Sequence, residues 1–324
     1  MRPFAVPVTL ATVLFAAAVH AQPASTYPTR PVRIIVPLAA GGSTDNNGRM
    51  IADKLTQALG QSFFVENRTG ASTDIGIGTM AHSPADGYTI GVVPIGSVAL
   101  GTLVRKLPYD PYKEITPIAG ISKGALVIVV NAASPYKTLP DLIADAKANP
   151  GKVSYGSIGV GSSHHMAGEL LTMLTGANML HVPYKGASES NTAVLAGQIT
   201  ASVSGSSSIA AQVRAGKLRT LAVTNNKRVP SLPDIPAVGE YVPGYSAGAG
   251  TLSLFGPGGM PRPIIDRINA VVQASLKQPD VIKRLADAGE DPSPSTPEEL
   301  AAELRGEIDK WTNLVKTSGL KLQP

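Results

Sequence analysis

Strand-like and helix-like runs alternate along almost the whole of this chain, and that alternation admits few folds. Apolar runs of strand length lie at Arg33–Leu38, Phe63–Glu66, Tyr88–Val93, Ala125–Val130, Val153–Gly156, Met179–Val182, Leu218–Val223 and Thr251–Phe255. Between Asn46 and Leu59 the apolar residues Met50, Ile51, Leu55 and Leu59 recur at helical spacing, and Gly60 supplies a stop. Thr138 and Asp141 form a capping box for a helix that Asn149-Pro150-Gly151 ends. Such alternation predicts an α/β fold with largely parallel sheets. After Phe255 the pattern is helical only, over Arg262–Lys277, Pro279–Ala288 and Pro297–Lys316, with a second capping box at Thr296 and Glu299. Helices placed after the last strand need a surface to cover, and the first lobe is expected to supply it.

Two stretches share one shape. Arg33 to Leu55 and Lys152 to Leu171 each read as an apolar strand, a Gly/Ser/Thr loop and an amphipathic helix. A helix that begins just after such a loop presents free backbone N–H groups and the positive end of its dipole. That makes an anion site without Lys or Arg. In the first loop Gly41 and Gly42 allow close backbone approach, Ser43 and Thr44 add hydroxyls, and Asp45 stands where an N-cap belongs. In the second, Ser157, Gly161, Ser162 and Ser163 offer donors at a helix start. Spacing alone fits an ordinary capped turn equally well.

Arg2 followed by the apolar run Phe4–Val19 and the small-residue ending at Ala21 reads as a signal peptide over residues 1–21, with Gln22 the mature start. The run is too short for a good membrane span. The chain has no Cys, which excludes disulfides, thiolate catalysis, Cys-ligated zinc and a lipid-modified Cys at the cleavage site. Its 28 Lys and Arg against 23 Asp and Glu are scattered, so nothing suggests a nucleic-acid footprint. About 300 mature residues are long for one core, which predicts two lobes.

Short motifs recur in a telling order: Pro31–Pro37, Gly41-Gly42-Ser43-Thr44-Asp45, Val65-Glu66-Asn67-Arg68, Asp86-Gly87-Tyr88-Thr89, Leu107–Pro111, Ala148–Lys152, His181–Gly186 and Arg214–Arg219. In these the chain resembles the periplasmic substrate-binding proteins of tripartite tricarboxylate transporters, the Bug or TctC family. The resemblance implies a type II, Venus-flytrap fold with two crossing strands, near Gly124–Val130 and Ala247–Leu254. Residues 22–125 and 250–324 would form the first lobe and 126–249 the second. It makes Pro37–Asp45, with Leu38 and Ala39, the family's carboxylate-binding loop, often bridged by water. It also turns Ser72, Thr73 and Ser97 toward the cleft. His165 matches a His common in the family, while His164 replaces a more usual Pro. Tyr184 is read as structural.

One departure stands out. The family commonly has Phe-Asp-Asn where this chain has Val203-Ser204-Gly205. A hydroxyl can donate to an anion where an ionised carboxylate cannot. Ser204 and Gly205 therefore suggest a ligand with an anionic or neutral far end and argue against an amino acid.

Other motifs fail on context. Gly120-Ile121-Ser122-Lys123-Gly124 fits G-x-S-x-G, but a strand-like run follows where a nucleophile elbow needs a helix. Gly76–Ala81 fits a dinucleotide pattern but lies within a helical stretch. Adjacent His164 and His165 point about 100° apart on a helix and cannot chelate one metal ion. The reading is a periplasmic receptor, expected to be a monomer without cofactor, metal or catalysis. It would bind a small carboxylate, a dicarboxylate such as terephthalate being favoured, and hand it to transporter subunits of the membrane without itself inserting. The alternatives are a secreted serine hydrolase using His165 or His181, and a sensor for a membrane kinase using the same cleft.

Overall fold

The computed structural model describes residues 26–248 and 250–318. The signal-peptide expectation lies outside the described residues. Eleven strands are described: β1 Val32–Val36, β2 Phe63–Asn67, β3 Thr89–Pro94, β4 Ile115–Gly124, β5 Leu126–Asn131, β6 Ser154–Ser157, β7 Leu180–Pro183, β8 Ala201–Gly205, β9 Leu218–Val223, β10 Gly250–Pro257 and β11 Glu290–Pro292. The helices are α1 Ser43–Leu59, α2 Asp74–Ala81, α3 Ile95–Val104, α4 Leu139–Ala148, α5 Ser163–Thr175, α6 Ala187–Leu195, α7 Ser206–Arg214, α8 Val238–Tyr241, α9 Arg262–Ser275, α10 Pro279–Asp287 and α11 Pro297–Ser318.

The strands form two sheets, in the orders β11-β4-β10-β3-β1-β2 and β7-β6-β8-β5-β9. Each is mixed rather than largely parallel. β1 runs parallel to β2 and β3, and β6 to β7 and β8. The strands that carry the chain between lobes, β4, β5 and β10, pair antiparallel with their neighbours. The physical reason is the double crossing: a chain that leaves one sheet and later returns to it must run back against its outgoing strand. β4 and β5 are separated only by Ala125, so the first crossing is one strand broken at a single residue. The return, from Val223 to Gly250, is longer and carries α8.

The tail departs from the helix-only reading. β11 interrupts it and pairs antiparallel with β4, Glu290 opposite Gly124. The helices around it pack on the first sheet's lobe: α9 against α1 and β4, and α11 against α3 and β4. Trp311, Leu300 and Leu304 of α11 are buried there. Amphipathic helices need such an apolar surface, because in water their intrinsic propensity alone leaves them marginal.

Candidate functional site

Five helices aim their N-termini at one cavity between the lobes. Its wall takes Ser43 and Thr44 from α1, Gly96 from α3, Ser163 and His164 from α5, Ala187 from α6 and the α7 N-cap Gly205. The crossing strands supply the floor, with Gly124, Ala125 and Leu126 on one and Gly250, Thr251 and Leu252 on the other. The hollow holds about 610 Å³ of non-atom space, part of it open to solvent. The lobes touch across it. Ser207 Oγ donates across the gap to Ser43 Oγ at 2.5 Å, and Ser188 Oγ to the Ala40 carbonyl at 2.8 Å. Among the described residues the wall carries no Lys or Arg. Positive potential comes instead from first-turn N–H groups, each helix end carrying roughly half a unit charge.

The first loop is held from behind. Gly41 is left-handed at φ 84° and its N–H donates to Asp45 Oδ2 at 3.0 Å. Arg49 grips the same carboxylate through Nε and Nη2, each at 3.0 Å, and Asn67 Nδ2 adds a bond at 3.0 Å. Burial opposes the charge of Asp45, yet the bonds from Arg49, Gly41 and Asn67 hold its carboxyl below the usual range. The α1 N-cap is Gly42, and Asp45 sits three residues on, in the first turn. This corrects the expected N-cap and gives Asp45 a scaffolding geometry. Leu38, Ala39, Gly42, Ser43 and Thr44 line the cavity, whereas Gly41 and Asp45 stand behind it.

The second loop divides in the same way. Ser157 Oγ is 2.7 Å from His181 Nε2, and Ser162 caps α5 by accepting from the His165 N–H at 3.2 Å. His165 Nδ1 accepts from the Gly161 N–H at 3.1 Å, and its ring lies 4.0 Å from that of His181. Ser157, Gly161, Ser162 and His165 thus build the loop, while Ser163 and His164 face the cavity. Burial pushes His164 down to about 4, so it is neutral at pH 7.

The remaining expected residues scatter. Ser72 and Thr73 are left-handed, at φ 53° and 92°, and line an outer hollow with Tyr184, Lys185 and Glu189. Leu38 and Ile158 border both spaces and separate them. Ser97 is buried on α3 beside Gly96, its hydroxyl without a partner among the described residues. Ser204 corrects the selectivity expectation: alternation along β8 turns it, with Ser202, toward α6 and α7, and its hydroxyl meets Ser208 Oγ at 2.8 Å. Gly205 does line the cavity, and a Cβ there would stand 2.3 Å from Ser43 Oγ. Gly186 plays the same part against Ala39, with 2.8 Å left for a Cβ.

Glu290 and the floor residues were missed by sequence reasoning. Glu290 lies among Asp287, Asp291 and other acids of a polar tail, and no local pattern separates it from them. The two floor segments carried a signal, as both fall within the predicted crossings.

Two mixed sheets, a cleft between them and crossing strands beneath it define a two-lobed type II binding protein. The chain matches the model of the tripartite tricarboxylate transporter family receptor, TctC, over residues 48–320, and it belongs to that family. It is 32% identical to protein BugT of Bordetella pertussis over 316 residues, covering 97% of this chain and 96% of BugT. Among solved structures it is similar to R. palustris Rpa4515 with adipate, at TM-score 0.86 and 33% identity, covering 91% of this chain and 99% of that one. It is also similar to MatC from Rhodopseudomonas palustris with bound malate, at TM-score 0.84 and 29% identity, covering 89% and 100%. The chain is thus a solute receptor of the TctC family and not an enzyme. The hydrolase alternative falls, and Ser122 of the G-x-S-x-G match lies buried inside β4. Among the described residues no helix is long and apolar enough to cross a membrane.

Proposed function

We propose that this receptor closes on a small dicarboxylate and delivers it to a membrane transporter from the periplasm, after removal of a leader ending near Ala21. The observation that carries the reading is the convergence of five helix N-termini on one cavity between the lobes, whose wall among the described residues has no Lys or Arg. Such a site recognises carboxylate oxygens through directional N–H and hydroxyl donors, and enclosure strengthens each bond. Apart from His164, Thr251 and Glu290, the rest of the wall is apolar, from residues such as Leu38, Pro94, Leu126, Ile158, Ala187 and Leu252, which suits a hydrocarbon spacer between two acid groups, an aromatic one such as terephthalate included. The adipate and malate of the similar structures belong to the same chemical class. Ser43, Thr44, Ser163 and Gly205 are the proposed contacts, with Ala39 and Gly42 shaping the approach. Closure is the signal, because a membrane partner that prefers the closed form responds to occupancy.

A thermal-shift panel of succinate, malate, adipate, terephthalate, benzoate and glutamate tests this, followed by calorimetry on each hit. Dicarboxylates are expected to raise Tm, more so the tighter they bind, by mass action on the folded state. Tight binding of glutamate with no response to any dicarboxylate sinks the reading.

A further inference from the structure

Glu290 is an acid set into an anion site. It is 2% exposed, on the wall of the cavity described above, and the wall's remaining ionisable side chain, His164, is neutral at pH 7. It stands where the N-termini of α1 and α7 meet across the cleft. Asn47 of α1 donates through Nδ2 to Glu290 Oε2 at 2.9 Å, and also to the Ser43 carbonyl at 2.9 Å. Ser206 of α7 donates to the carbonyl of the preceding Gly289 at 2.9 Å. The side chain lies over Gly124, where a Cβ would come within 2.9 Å of Glu290 Cγ. A side chain at 124 would force Glu290 to shift.

Among the described residues, the charges around Glu290 leave it without a counter-ion. From β4, Lys123 pairs with Glu303 of α11 at 2.9 Å. From α10, Arg284 borders an outer pocket with Glu290 but reaches the Asn46 carbonyl at 3.4 Å. From α1, Arg49 and Asp45 pair with each other. From α7, Ser206 and Ser207 are uncharged, and Arg214 at the far end binds the Asp287 carbonyl. Asp291 is next on β11, where alternation turns it to the opposite face. Burial pushes the Glu290 carboxyl up, against the pull of Ser207, Asn47 and Ser122.

A dianionic ligand beside an ionised Glu290 would place three negative charges in a cavity lined by no Lys or Arg. Like charges at such range in a dry site force one carboxyl to stay protonated. We propose that Glu290 is the specificity-determining residue of the cleft, taking up one proton from solvent as the ligand binds and donating it in a hydrogen bond to the ligand's second carboxylate. The first carboxylate sits on the helix N-termini, and the second completes an acid–carboxylate pair with Glu290. A monocarboxylate offers no group for this pair, and a ligand ammonium would require the ionised form instead. This rests on the carboxylate reading of the cleft.

Calorimetry of the mature chain tests it, with succinate, malate, adipate and terephthalate as dicarboxylates and hexanoate and benzoate as monocarboxylates. Each is run at three pH values between 6 and 8, in two buffers of different ionisation enthalpy. The best dicarboxylate is expected to bind with uptake of close to one proton, its affinity falling about tenfold per pH unit on the alkaline side. Glu290→Gln, which keeps a donor and cannot ionise, is expected to lose the pH dependence of dicarboxylate affinity, so that its affinity relative to the unaltered protein rises by about tenfold per pH unit on the alkaline side. A dicarboxylate that binds without proton uptake overturns the proposal on the unaltered protein alone, as does an unchanged pH slope in Glu290→Gln. In both of those outcomes the carboxylate reading stands. If no carboxylate binds either protein, both readings fall together.

Discussion

Gly205 of the second lobe faces Ser43 of the first so closely that a Cβ at 205 would stand 2.3 Å from the Ser43 hydroxyl. Gly205 itself has φ −71°, which any L-residue adopts, so a side chain there costs nothing in backbone strain. Gly205→Val should fold normally and fail to close. The expected outcome is a Tm within a few degrees of the parent without ligand, with carboxylate affinity down at least about tenfold, a loss of roughly 1.4 kcal/mol. Small-angle scattering checks the cause, since the variant should keep its ligand-free radius when carboxylate is added. A variant that contracts and binds as the parent does would refute the steric account.

Removing the carboxylate behind the first loop should cost stability and binding together. Asp45→Ala deletes the acceptor of Arg49, Gly41 and Asn67, charge-assisted bonds that are partly solvent-screened on the Arg49 side. The expected loss is about 2 kcal/mol of unfolding free energy by urea titration. Folding lowers the pKa of Asp45, so its contribution is complete above the unfolded value of about 3.9 and vanishes as pH falls through the folded value. Asp45→Asn should therefore narrow its deficit against the parent as pH falls below about 4.

The His165–His181 stack should make the protein sensitive to mild acid. Burial, and then the neighbouring His165, push His181 down to about 3. An unfolded His takes up a proton near pH 6.5, so the unfolded state binds more protons between that value and about 3. Stability contributed by neutral His181 is full above pH 6.5 and declines as pH falls through this window. A Tm profile from pH 7 to 4 should slope downward, and His181→Gln should flatten it. An equal slope in the variant would assign the effect elsewhere, with His164 the next candidate.

Trp311 is the chain's one Trp and is fully buried under α11, outside the cavity wall. Ligand binding should leave its emission unchanged, even where Tm rises by several degrees. Trp311→Ala should cost about 3–5 kcal/mol, the usual range for deleting a buried Trp. A large emission change on carboxylate addition would mean that closure repacks α11.

Local patterns carried the alternating elements, the two capping boxes and the two strand–loop–helix units. Gly60 ends α1 as a left-handed cap, as its position after Leu59 implied. What stayed hidden depends on contacts between distant segments. Glu290 pairs with Gly124 across 166 positions of chain, and β11 has only three residues, too few to show a period. Ser204 and Gly205 are neighbours in sequence, yet the strand's alternation sends one into the lobe and the other to the cleft. His164 and His165 separate likewise, one on the cavity wall and one against Gly161. A motif names the loop, but side-chain direction within it follows from the helix or strand it joins.

Gly250 and Glu290 flank the same Gly124, so three strands lie abreast at the fold line between the sheets. Chemistry on the cavity floor therefore takes place at the pivot, where the lever arm is shortest. A shift there of a fraction of a bond length is multiplied toward the outer edges of both lobes, the surfaces a docking partner can touch. On the proposed reading, a change of a single proton or hydrogen bond on that floor would therefore be expected to displace whole surfaces, with no relay of moving side chains in between.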